Sequence, residues 1–64
     1  MNLIGPDEAG AQLGGIPART LSQWRYLGRG PRYLKVGKYV RYRPEDIEAW
    51  LKNQTVETEP RGAA

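Results

Sequence analysis

The 64-residue chain contains no cysteine, no histidine and no phenylalanine. Without cysteine there can be neither a disulfide nor a thiolate metal site. Without histidine the commonest general base and the commonest metal ligand are both missing. An enzyme is therefore not expected, and no cofactor or metal is. Long apolar runs are lacking too: nothing approaches the roughly 18 residues of a membrane span. No charged segment followed by an apolar run marks a secretory signal. The expected location is cytoplasmic, with no membrane partner. The most informative absence is local. From Pro17 to Pro44 there is no acidic residue, yet Arg19, Arg25, Arg29, Arg32, Lys35, Lys38, Arg41 and Arg43 all fall there. The acids cluster elsewhere, at Asp7 and Glu8, at Glu45, Asp46 and Glu48, and at Glu57 and Glu59. A net charge of +3 is modest, but this segregation implies one basic face and a polyanionic partner.

A chain of this length holds one domain and buries only about 60% of its unfolded surface. Its core must rely on large side chains, here two Trp and four Tyr. After a lead-in from Met1 to Gly5, Pro6 fits the first turn of a helix, and Asp7 and Glu8 suit its positive dipole end. Ala9 and Leu13 share a face four residues apart, and Gly14 or Gly15 supplies a left-handed stop. A helix is predicted from about Pro6 to Leu13. Ile16 is expected to plug the gap between this helix and a second, from about Pro17 to Leu27. On that helix Ala18, Leu21 and Trp24 form an apolar stripe, and Arg19, Ser22, Gln23 and Tyr26 lie opposite. Gly28-Arg29-Gly30-Pro31 ends it.

Two β-prone runs, Tyr33 to Val36 and Tyr39 to Tyr42, flank the two-residue turn Gly37-Lys38 and predict a hairpin. Tyr33 then opposes Tyr42, and Lys35 opposes Val40. Val40 and Tyr42 should face the core, with Tyr39 and Arg41 outward. Pro44-Glu45-Asp46 opens a third helix with Ile47, Trp50 and Leu51 as its apolar stripe, ending near Asn53. The expected architecture is α+β, a small winged helix-turn-helix over residues 1–53. Residues 54–64, poor in apolar content, are expected to form a disordered tail.

In a helix-turn-helix the second helix enters the major groove with its N-terminal residues over base edges. Arg19 and Gln23 occupy that position; Arg can pair bidentately with guanine and Gln with adenine. Thr20, Ser22 and Tyr26 suit phosphate oxygens or thymine methyl groups. Lys38 at the hairpin tip and Arg41 on its outer face can reach a backbone or a minor groove. Arg25, near the edge of the apolar stripe, can either touch phosphate or lie along Trp24. Arg29 and Arg32, in the Gly-Pro loop, can be phosphate contacts or surface charges, and Arg43 can pair with an acid of the third helix.

Five segments, Thr20-Leu21-Ser22-Gln23-Trp24-Arg25, Gly28-Arg29-Gly30-Pro31, Lys35-Val36-Gly37-Lys38, Val40-Arg41-Tyr42 and Glu45-Asp46-Ile47-Glu48-Ala49-Trp50-Leu51, carry a further resemblance. Over about Leu3 to Lys52 the chain resembles the MerR-like winged helix-turn-helix of phage and plasmid excisionases and the related AlpA-like regulators. Pro17 stands where members often carry a Ser cap, and Gly10 where many have Ala. The resemblance implies contacts to double-stranded DNA from Arg19, Thr20, Ser22 and Gln23 and from Lys38 and Arg41. The full set of candidate DNA-binding residues is those six with Arg25, Tyr26 and Arg32. Its implied role is architectural: an excisionase that binds attachment-site repeats beside neighbouring copies of itself, bends the DNA and directs an integrase toward excision. A bacterial or phage origin and association with the nucleoid follow from the same resemblance. The absence of an effector domain and of the long coiled-coil helix usual in MerR regulators adds to that expectation. The runner-up is a small AlpA-like transcription regulator.

Plainer readings compete at several positions. Trp24 and Trp50 could stack on bases, but their spacing with Leu21 and Ile47 favours core packing. Tyr33, Tyr39 and Tyr42 among basic residues could suggest a single-strand platform, though the hairpin is short. Glu45, Asp46 and Glu48 read as a solvated first turn and not as a metal site. A protein-interaction module whose basic face meets an acidic partner is the rival from another class.

Overall fold

The computed structural model describes residues 2–56. Its elements run α1 (Pro6–Gln12), α2 (Ala18–Leu27), β1 (Leu34–Val36), β2 (Tyr39–Arg41) and α3 (Pro44–Asn53). This is the α+β order expected of a winged helix-turn-helix, with β1 and β2 forming an antiparallel hairpin. Residues 54–56 follow α3 outside any helix or strand. Residues 57–64, most of the predicted tail, lie outside the described residues.

Ile4, Ala9, Leu21, Tyr42 and Ile47 form the buried core, drawn from the lead-in, the three helices and the residue that follows β2. Leu13, Ile16, Trp24 and Val40 pack around it. Ile16 thus fills the gap between α1 and α2, as its apolar character within a turn implied. Proline and acids open both α1 and α3, and neither helix has a side-chain cap bond. Pro17 precedes α2 instead of joining it, and its carbonyl accepts from the amides of Thr20 and Leu21 at 3.0 and 3.2 Å. At the other end, Gly28 adopts a left-handed conformation. Its amide bonds the Arg25 carbonyl at 3.2 Å, and the Arg29 amide bonds that of Trp24 at 2.8 Å. These paired bonds make a Schellman motif, which ends α2 sharply.

The apolar stripes are less complete than their spacing suggested. Leu21 is fully buried, but Ala18 and Trp24 are only half-buried. On α3 Ile47 is buried, Trp50 half-buried and Leu51 exposed. The two indoles cover each other, with ring centroids 5.5 Å apart at 40°. A domain this thin cannot enclose two Trp side chains, so they shield one another.

The predicted hairpin register is observed: Lys35 opposes Val40, with Leu34 opposite Arg41 and Val36 opposite Tyr39. The ladder is shorter than expected, because Tyr33 and Tyr42 fall outside it. Their rings still meet, 6.2 Å apart. Tyr42 has a different backbone partner. Its N–H donates to the Ile4 carbonyl at 2.8 Å, and the Ile4 N–H donates back at 2.9 Å. The lead-in segment is therefore part of the fold, pairing with the residue that follows β2 at the base of the wing.

Gly10 has a structural reason that its helix propensity does not reveal. Its carbonyl accepts from the amides of Leu13, Gly15 and Ile16 at 3.1, 2.9 and 2.9 Å, so the interhelical turn folds back onto α1. A Cβ there would overlap the Ile16 carbonyl oxygen and lie 3.1 Å from its carbon. The glycine is required by this approach and is not merely a weak helix former.

Candidate nucleic-acid interface

Helix α2 presents its outer face through simple periodicity. Arg19, Ser22, Gln23 and Tyr26 are all exposed, Tyr26 at 88%. Leu21 and Trp24, on the opposite side, anchor the helix to the core. The exposed row spans about 10 Å along the axis at 1.5 Å per residue, which suits a major groove roughly 12 Å wide. Thr20 sits on the flank, half-buried. Because α2 carries no acid, nothing within it opposes an approaching phosphate chain.

The hairpin assembles a second cationic group. Lys38 is exposed in the turn and Arg41 half-buried on the outer face of β2. Both converge on Tyr39: the Lys38 Nζ lies 5.7 Å and the Arg41 Cζ 5.3 Å from the ring centroid. Arg41 also donates from Nη1 to the Val40 carbonyl at 2.8 Å. Two long cationic side chains are thus gathered around one aromatic ring before any partner arrives. Tyr39 was predicted to face outward with Arg41, but its ordering role needs the Lys38 contact, which strand alternation does not reveal.

Arg25 turns inward. Its Nη1 donates to the Tyr42 hydroxyl at 2.8 Å, and its guanidinium lies 5.7 Å from the Tyr33 ring centroid. Sequence left it open between phosphate contact and packing; its hydrogen bond and its ring contact are to the tyrosines at the base of the wing. This bond ties α2 to the base of the wing and fixes one relative to the other. Arg43 pairs with Asp46, Nε to Oδ2 at 3.1 Å.

Arg25, Arg29, Arg32 and Arg43 line a cleft of about 380 Å³ beside Pro31 and Tyr33. Arg29 and Arg32 are exposed and Arg25 and Arg43 half-buried. From sequence Arg29 was open between phosphate contact and surface charge, and Arg43 was expected to pair with an acid; neither stood in the full candidate set. The acid-free run contained both, but nothing local showed that the loop would bring them together. Among the described residues, no group of three or more Asp or Glu side chains could hold a metal, and no helix is long and apolar enough to cross a membrane.

An exposed acid-free helix in a helix-turn-helix, braced against a cationic two-stranded wing, defines a class of proteins that bind double-stranded DNA. The chain belongs to the helix-turn-helix domain family, which matches its residues 7–55. No curated protein matches it.

Proposed function

We propose that this protein is an excisionase, a recombination directionality factor. Several copies bind adjacent repeats in an attachment site, bend the duplex and steer an integrase toward excision. In this reading Arg19 and Gln23 read base edges. Thr20, Ser22 and Tyr26 contact phosphate or thymine methyl groups. Lys38 and Arg41 clamp the backbone or the minor groove beside the helix. Arg25 and Arg32 add charge at the end of α2. The observation that carries the DNA contacts is the exposed row from Arg19 to Tyr26, with a preassembled cationic wing and no acid in either element. The architectural role rests on the resemblance to excisionases, together with the small core, which suits a protein gaining affinity from neighbours along the DNA.

A small transcription regulator of the AlpA kind would use the same residues. The two roles part in what happens to the DNA. Sites selected from a random duplex pool, followed by gel shift and circular-permutation bending analysis, separate them. An excisionase gives stepwise cooperative occupancy of tandem repeats and a marked bend. A single unrepeated site with straight DNA sinks the excisionase reading and favours the regulator. No shift of any duplex at micromolar protein and low salt sinks both, and leaves an acidic protein partner for the basic face.

A further inference from the structure

The row on α2 and the cations around Tyr39 do not account for the cleft at the end of α2. Four guanidinium groups line it, and no acidic side chain does. Arg43 is offset by Asp46 just outside the cleft, but the other three like charges around one concavity repel and are relieved by an anion. Two of the four are already held in place. Arg25 is fixed by the Tyr42 hydroxyl and the Tyr33 ring, and Arg43 by Asp46. Arg25 uses one of a guanidinium's five N–H donors on Tyr42. Arg43 Nε is buried, yet at 3.1 Å from Asp46 it is not aligned as a hydrogen bond.

The loop that carries Arg29 and Arg32 is also pinned. Pro31 is buried, and Gly30 packs so closely on Trp24 that an added Cβ would lie 3.0 Å from the indole. The cleft therefore combines a rigid floor, two anchored guanidiniums and two exposed ones. Planar guanidinium forks match the tetrahedral oxygens of phosphate, and prior ordering lowers the entropy lost on binding.

We propose that this cleft seats one backbone phosphate of the bound duplex, gripped by several arginines at once. The proposal deepens the reading of α2 as the DNA-binding helix and rests on it. The cleft begins at Arg25, beside Tyr26, where the exposed row ends. On this proposal, a strand leaving the groove past Tyr26 continues over the exposed Arg29 and Arg32. A cleft open to solvent suits a phosphate delivered by the rest of a duplex better than a small free ligand.

The test uses the full chain with Arg29→Gln, Arg32→Gln and the double variant, all at exposed positions. Thermal melting first establishes that each folds as the parent does. Affinity for a random-sequence duplex is then measured against salt. Each phosphate lost lowers the slope of log K against log salt by about 0.9. If both arginines serve one phosphate, each single variant changes the slope by less than this, because the other arginine remains. The double variant lowers it further, by at most about 0.9 in total, since Arg25 and Arg43 remain. Independent contacts would give about 0.9 for each single and about 1.8 for the double, which overturns the shared cleft. An unchanged slope in the double variant overturns it as well. If millimolar inorganic phosphate raises the parent's melting temperature but not the double variant's, while both keep the same DNA slope, the cleft serves a free anion and the proposal fails. A parent that binds no duplex refutes the DNA reading itself, and is distinguished from all of these by the first titration.

Discussion

Replacing Gly10 by Ala tests the packing of the helix-turn-helix most directly. Helix propensity alone predicts a gain, since Ala is better than Gly in a helix by about 1 kcal/mol. The structure predicts the opposite. The new methyl group would meet the Ile16 carbonyl, a backbone atom that cannot rotate away, and would lie 3.8 Å from a Leu21 methyl. To make room the turn must move by about an ångström, an overpacking that costs about 1–3 kcal/mol. Gly15 and Ile16 also donate to the Gly10 carbonyl, and weakening two such bonds removes about 0.5–1.5 kcal/mol each. Set against the propensity gain, the net loss is about 1–5 kcal/mol, centred near 3. For a domain of this size each kcal/mol shifts Tm by about 4–8 °C, so a loss of about 3 kcal/mol lowers melting by about 12–24 °C. Far-UV circular dichroism on heating, with urea unfolding at an unchanged m-value, reads this directly. Gln12→Ala, exposed on the same helix, serves as the control and should stay within about 0.5 kcal/mol. A Gly10→Ala protein as stable as the parent, or more so, would refute the close approach and restore helix propensity as the governing effect.

Other substitutions probe the remaining parts. Tyr42→Phe removes the acceptor for Arg25 while keeping the buried ring, and should cost about 1–2 kcal/mol in urea unfolding, since bonds to charged groups exceed the neutral average but this one is only half-buried. No loss would show that the bond does not tie α2 to the wing. Arg19→Ala or Gln23→Ala should cost about 1–3 kcal/mol at one base position and relax specificity there, measured on single-base variants of a selected site; equal losses on every sequence would exclude base readout. Lys38→Ala or Arg41→Ala should weaken selected and random duplexes alike and lower the salt slope by about 1, and an unchanged slope would remove the wing from the phosphate backbone. Tyr39→Ala should weaken binding in the same non-specific way but leave the slope nearly intact, because both cations remain and only their ordering is lost; full retention of affinity would make the tyrosine a bystander.

The local chemistry of the chain announces its helices and the hairpin register. Proline with acids marks the starts of α1 and α3, and Gly28 marks the end of α2. Gly37-Lys38 sets which strand residues face each other. What stays hidden depends on contacts distant in sequence. Ile4 lies in a segment with no strand pattern, and only its encounter with Tyr42 gives it backbone partners. Gly10 reads locally as a poor helix residue, and its necessity comes from a turn folding back on it. Arg25 sits at a helical angle between buried and exposed, so its direction is decided by the position of Tyr42, which sequence spacing does not supply. On the candidate interface, the exposed row of α2 follows from periodicity alone. The grouping of four arginines does not, because it depends on where the loop after α2 comes to rest.

The pairing of Ile4 with Tyr42 also bears on the order in which the molecule assembles. The two residues are far apart along the chain, and closing such a loop for a single bridge is entropically unfavourable. That bridge should therefore form only once α2 and the wing have already met. Since both side chains belong to the core, the bridge should open only together with the packing around it. Hydrogen exchange at the Ile4 and Tyr42 amides would then report, from inside the fold, how often the lead-in segment and the wing part company.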